Sequence, residues 1–157
     1  MNKKLVAYFS ASGNTAMLAK NLAEAAGADL FEIRPAELYT NADLRWTNPF
    51  ARCNKEKLGK KDVPVADKVK DFEDYDMIFI GFPVWYYAEP NIIDTFVKSY
   101  DFSDKKVALF ATSGGSDITK TPGKLEPLLG CKVIAAKLFS PDESVAELRA
   151  WAAPIMK

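Results

Sequence analysis

Histidine does not occur in this chain of 157 residues. Without an imidazole there is no Ser-His or Cys-His nucleophile pair, and the commonest transition-metal ligand is missing, so no metal site is expected. Cysteine is scarce as well. Cys53 and Cys131 stand alone, without a Cys-x-x-Cys pair, and read as two separate thiols rather than a disulfide. Net charge is zero, from 21 basic and 21 acidic residues, so no bulk field favours nucleic acid or an anionic membrane. Long hydrophobic runs are lacking: no apolar stretch approaches the roughly 20 residues of a membrane helix. Asn2-Lys3-Lys4 leads into a short apolar run ended by Ser10, which reads as a strand and not as a signal peptide. Repeats and low-complexity tracts do not occur, which excludes a solenoid. These absences leave a cytoplasmic protein without acid-base machinery of its own, in which any redox chemistry belongs to a cofactor.

What is present is patterned. A hydrophobic content of 48% over this length suits one domain, residues 1–157, with a substantial core. Apolar runs without alternation at Leu5–Phe9, Met77–Phe82, Val107–Ala111 and Lys132–Phe139 predict strands covered on both faces, hence a parallel sheet. A shorter strand is expected at Asp29–Arg34, between Gly27 and Pro35. Helical spacing falls between them, at Thr15–Ala26, more weakly at Val65–Phe72, then at Asn91–Tyr100 and Ser144–Met156. The expected fold is α/β, a three-layer doubly wound five-stranded parallel sheet. Residues 35 to 65, rich in Asn, Lys, Asp and Pro, read as an insertion: a polar surface excursion or a lid over a ligand.

The first strand breaks into Ser10-Ala11-Ser12-Gly13-Asn14-Thr15 and then into a helix. Hydroxyls of Ser10, Ser12 and Thr15, the Asn14 amide and backbone N–H groups around Gly13 make a neutral donor set for a phosphate, with the positive end of the helix behind it. The turn has neither the Gly-Lys-Ser/Thr of a P-loop nor the Gly-x-Gly-x-x-Gly of a dinucleotide fold. A turn of this kind suits one terminal phosphate monoester. Taken alone, it is also an ordinary helix cap.

On these residues the chain resembles the flavodoxin family, whose first loop has the form Ser/Thr-x-Ser/Thr-Gly-x-Thr and holds the 5′-phosphate of FMN. Ala19 and Leu22 fit the helix that follows, while Ala7 replaces a larger strand residue. The resemblance implies strand order 2-1-3-4-5. A second loop, Pro83-Val84-Trp85-Tyr86-Tyr87-Ala88-Glu89-Pro90, carries three adjacent aromatics between two prolines, an arrangement that suits stacking on a flat ring. Gly81-Phe82-Pro83-Val84-Trp85 resembles a short bacterial branch of the family, with Tyr86 where a second Trp is common. A third loop, Thr112-Ser113-Gly114-Gly115-Ser116-Asp117, is typical of the same branch and implies contact with the pyrimidine edge of the flavin; by itself it also reads as a tight turn capping a helix from Asp117.

The resemblance implies FMN as cofactor, and few positive charges near the ring imply a low reduction potential. Two roles compete. One is an electron carrier between redox partner proteins, binding neither nucleic acid nor membrane, as a monomer or a weak dimer through the aromatic loop. The other is an FMN-dependent NAD(P)H oxidoreductase acting on quinones or similar acceptors, kept open by the neutral net charge, since dedicated flavodoxins are strongly acidic. A fold that has lost its cofactor is disfavoured by the intact loops. A response-regulator receiver is excluded because Ser10 and Pro83 occupy its acidic positions. Pro122-Gly123-Lys124-Leu125 reads as a turn, and the acidic run Asp71–Asp76 as a solvated loop, with a docking patch for a basic redox partner as its functional alternative.

Overall fold

Apolar residues on both faces of the three central strands dictate a sheet sandwiched between helices, and the computed structural model has that arrangement. It describes residues 3–10, 13–34, 68–84, 91–112, 118, 121–140 and 142–156. The elements run β1 Lys3–Tyr8, α1 Asn14–Ala26, β2 Asp29–Glu32, a 3-10 turn Phe72–Asp74, β3 Tyr75–Pro83, α2 Asn91–Lys98, β4 Lys106–Thr112, α3 Thr121–Leu129, β5 Val133–Leu138 and α4 Val145–Ile155. All strand pairs are parallel, in the order β2-β1-β3-β4-β5. Both the five strands and the order agree with the expectation.

Side chains alternate across the sheet, as strand geometry requires. Val6, Tyr8, Phe79, Ala108 and Phe110 face the layer of α1 and α4, where they bury Leu18, Ala19, Leu22, Leu148 and Ala152. Leu5, Ala7, Ile78, Ile80, Val107 and Leu109 face the other layer, against Ile92, Ile93, Phe96 and Val97 of α2 and Leu125 and Leu129 of α3. Ala7 of β1 pairs with Ile80, and Gly81 of β3 pairs with Tyr8. At Gly81 a Cβ would enter the space of the Phe110 ring, so the glycine is required by a neighbour rather than by backbone conformation. Edge strands are less covered: Leu30 of β2 and Ile134 of β5 remain exposed.

Two sequence expectations are corrected. Gly123-Lys124 lies inside α3, not in a turn. Pro122 sits in the first turn, where its missing N–H costs nothing, and Pro127 is carried inside the helix because Leu125 and Leu129 are buried on the sheet. Gly130, at φ +75°, closes the helix by donating its N–H to the Glu126 carbonyl at 3.0 Å. The weak helix expected at Val65–Phe72 is absent from its described part: Lys68 to Asp71 are irregular and lead into the 3-10 turn, which takes up part of the acidic run. The Val69 N–H donates instead to the Tyr100 hydroxyl at 2.8 Å. For α4 the expected start holds, with Ser144 as its cap: the Ser144 hydroxyl accepts the Glu147 N–H at 3.2 Å. The 35–65 insertion lies outside the described residues up to its last position and from Pro35 onward.

Candidate functional site

Strand order reverses between β1 and β3, so a crevice opens outside their carboxyl ends, the usual ligand position in an open doubly wound sheet. Backbone hydrogen bonds carry the sheet one residue past the strands there. Ile33 N donates to Tyr8 O at 2.6 Å, Phe9 N to Gly81 O at 2.9 Å, Val84 N to Thr112 O at 2.8 Å and Phe139 N to Ala111 O at 2.9 Å. The result is a rigid rim, and the candidate residues stand on it.

Within the first loop, Ser10 is half-buried and its Oγ accepts the Gly13 N–H at 3.0 Å. That bond uses a lone pair and leaves the Ser10 hydroxyl proton to be donated. Gly13 has φ +94° with open space where a Cβ would be, so glycine is needed here for the left-handed backbone alone. From this position α1 starts, and Met17 N closes its first turn on Gly13 O at 3.2 Å. The N–H groups of Asn14, Thr15 and Ala16 precede that bond and have no carbonyl within the helix to meet. No acidic residue occupies the first turn. Neutral donors and a helix N-terminus thus converge without a carboxylate to repel an anion.

Thr15 is 1% exposed, and its hydroxyl lies 2.9 Å from that of Thr112, 97 residues later in the chain and itself 6% exposed. The two come from α1 and from the last residue of β4. Thr112 is in register with Pro83, so the ends of β3 and β4 and the start of α1 meet in one place. Sequence reasoning placed Thr112 along a ring edge with its loop neighbours and missed its bond to Thr15. The signal was available: Ala108, Phe110 and Thr112 share a side of β4, and that side faces α1. Tyr8, at the end of β1 on the same side, was also overlooked. Burial, followed by the negative charge of Glu32, pushes its phenol above the usual range, while Arg34 acts in the opposite sense.

Of the expected site residues, the structure brings together Ser10, Gly13, Asn14, Thr15, Pro83, Val84 and Thr112. Ala11, Ser12, Trp85, Tyr86, Tyr87, Ser113, Gly114 and Gly115 lie outside the described residues. Among the described residues, no group of three or more His, Cys, Asp or Glu is placed to hold a metal ion, and no helix is long and apolar enough to cross a membrane. Cys131 is a free, half-buried thiol whose pKa is raised by burial and then by Glu126.

Fold and site define the class: a doubly wound α/β protein with neutral hydroxyls and a helix start at its switch point. A family model described as flavodoxin matches residues 3–155. The chain belongs to the flavodoxin family. Among solved structures it is similar to a protein described as a flavoprotein from Bacteroides eggerthii DSM 20697, with a TM-score of 0.89 and 38% identity over 100% of this chain and 99% of that one. A flavoprotein from Lactobacillus acidophilus NCFM in complex with FMN shares the fold, with a TM-score of 0.72 and 24% identity over 97% of this chain and 99% of that one. Flavodoxin 1 of Salmonella typhimurium is 33% identical over 88 residues, 51% of this chain and 50% of the relative. The chain thus spans about half the length of the curated relatives it matches.

Proposed function

We propose that this protein binds FMN through one domain, residues 1–157, and passes electrons between redox partner proteins. The observation that carries the reading is the turn from Ser10 to Thr15. Its Gly13 is held at φ +94°, its Ser10 hydroxyl is oriented by the Gly13 N–H, and α1 begins past the carboxyl end of β1 without an acidic residue in the first turn. This donor set fits a phosphate monoester: neutral hydroxyls and N–H dipoles bind a dianion without a buried countercharge. Family membership and the FMN complex of the Lactobacillus acidophilus protein support the same cofactor.

On this reading Ser10, Ser12, Asn14 and Thr15 donate to the phosphate. Trp85 and one of Tyr86 or Tyr87 stack on the ring, while Pro83 and Val84 fix the start of their loop on the β3 rim. Ser113, Gly114 and Gly115 line the pyrimidine edge through backbone groups. Bound FMN supplies the electron chemistry, and the protein supplies placement and exclusion of water.

Titration of cofactor-stripped protein with FMN and, in parallel, riboflavin, followed by flavin fluorescence, tests the reading. Quenching by FMN at a concentration at least about tenfold below that needed for riboflavin is expected, since riboflavin lacks the phosphate. Equal binding of the two, or none, overturns it. Zero net charge favours keeping one second reading, an NAD(P)H oxidoreductase acting on quinones. Steady-state oxidation of NADPH with a quinone at about 1 per second or faster would replace the carrier with that enzyme.

A further inference from the structure

We infer that Thr112 is a positioning residue for the anion turn, acting through Thr15 rather than by touching the cofactor. The inference rests on the phosphate reading above. It starts from the 2.9 Å contact between two hydroxyls that are almost entirely buried.

Two hydroxyls in contact hold two protons but share only one between them. Either Thr112 donates to Thr15, which leaves the Thr15 proton for a third group, or Thr15 donates to Thr112 and presents lone pairs to its surroundings. Beside an anion the second arrangement is repulsive, so a phosphate at the turn selects the first. Thr112 then donates to Thr15, and Thr15 donates to the phosphate. Accepting one hydrogen bond makes Thr15 a stronger donor in the next, because chained bonds polarise one another in a site shielded from water.

The geometry is stiff enough for this role. Thr112 is the last residue of β4, held by its register with Pro83 and by its carbonyl's bond from Val84 N–H at 2.8 Å. Its β-branched side chain has little rotamer freedom. Thr15 sits in the first turn of a 13-residue helix that packs on the same side of the sheet. Any change at the end of β4 therefore reaches Thr15 directly, and the last residue of β4 is joined to the first turn of α1.

The experiment compares FMN and riboflavin affinities of the wild type, Thr112→Val, Thr112→Ser, Thr15→Val and the double variant Thr15→Val/Thr112→Val. Valine has the shape of threonine without the hydroxyl, and serine keeps the hydroxyl. Thr112→Val is expected to weaken FMN by about three- to tenfold and leave riboflavin unchanged, with Thr112→Ser restoring FMN to within about twofold. In the Thr15→Val background, Thr112→Val should have no further effect, because its route to the phosphate is already cut. The 31P resonance of bound FMN should shift in Thr112→Val and return in Thr112→Ser.

Equal losses for FMN and riboflavin in Thr112→Val would mean a general packing role and overturn the inference. Additive losses in the double variant would mean that Thr112 touches the phosphate itself, and would overturn it too. A wild type that prefers FMN, with Thr112→Val unchanged, removes this inference and leaves the phosphate reading intact. A wild type without that preference removes both.

Discussion

The two ends of the sheet differ in what stands in front of their buried rings. At the amino end, rings interlock: Phe72 stacks on Tyr100 at 4.4 Å and meets Phe102 edge-on at 4.9 Å, and Phe96 lies 5.1 Å from Tyr100. Polar atoms there serve to fasten the rings. The Tyr75 hydroxyl donates to Asp29 at 2.8 Å, and Lys105 reaches the Tyr75 carbonyl at 2.6 Å while its ammonium lies over the Phe72 ring. At the carboxyl end the hydroxyls of Ser10, Thr15 and Thr112 stand beside Gly13 of positive φ, in front of the buried Tyr8, Phe9 and Phe82. Aromatic packing at one end supplies stability through buried area and ring geometry, and this lets the other end hold polar groups in a crevice.

Breaking the amino end should give the largest change in stability. Phe102→Ala removes a ring that is 0% exposed and should destabilise the fold by about 3–5 kcal/mol, read by denaturant unfolding. FMN affinity of the folded protein should stay within about twofold. If the two fall together, the ends are not independent. The reverse pattern sharpens the contrast: Thr15→Val should weaken FMN by about 1–3 kcal/mol in a fluorescence titration, with a stability loss of about 1 kcal/mol. Unchanged affinity would place the phosphate elsewhere.

The smallest effect is one of pH. Burial first, then the bond to Asp29 and the charges of Asp29, Asp71 and Asp74, push the Tyr75 phenol from 10.0 up to about 12. The folded state therefore holds this proton more tightly than the unfolded chain. Its contribution is complete below pH 10 and is lost as pH rises from about 10 to 12. Tyr75→Phe should show a shallower loss of stability over that window than the wild type, measured by urea midpoints. Parallel curves would exclude Tyr75 as a source of alkaline sensitivity. FMN binding at neutral pH should not change, since Tyr75 stands at the amino end.

Local patterning was legible wherever one residue type has one physical use. Central strands declared themselves as apolar runs because both faces are covered, and Gly13 declared the turn before α1 because its backbone angle admits few alternatives. Helix α3 was not legible, since Pro122, Gly123 and Pro127 all argue against a helix on local grounds. Burial of Leu125 and Leu129 against the sheet overrides them. Residues 68–71 mislead in the opposite way: a helical pattern gives way to an irregular segment tied by Val69 to Tyr100.

The sequence by itself determined the five strands, the glycine turn that starts α1 and the family, because these follow from residue size, polarity and backbone freedom along a few neighbouring positions. Only the tertiary structure decided that Thr15 and Thr112 share a hydrogen bond. That contact joins residues 97 positions apart and depends on which face of β4 meets α1, a matter of three-dimensional packing that spacing along the chain leaves open.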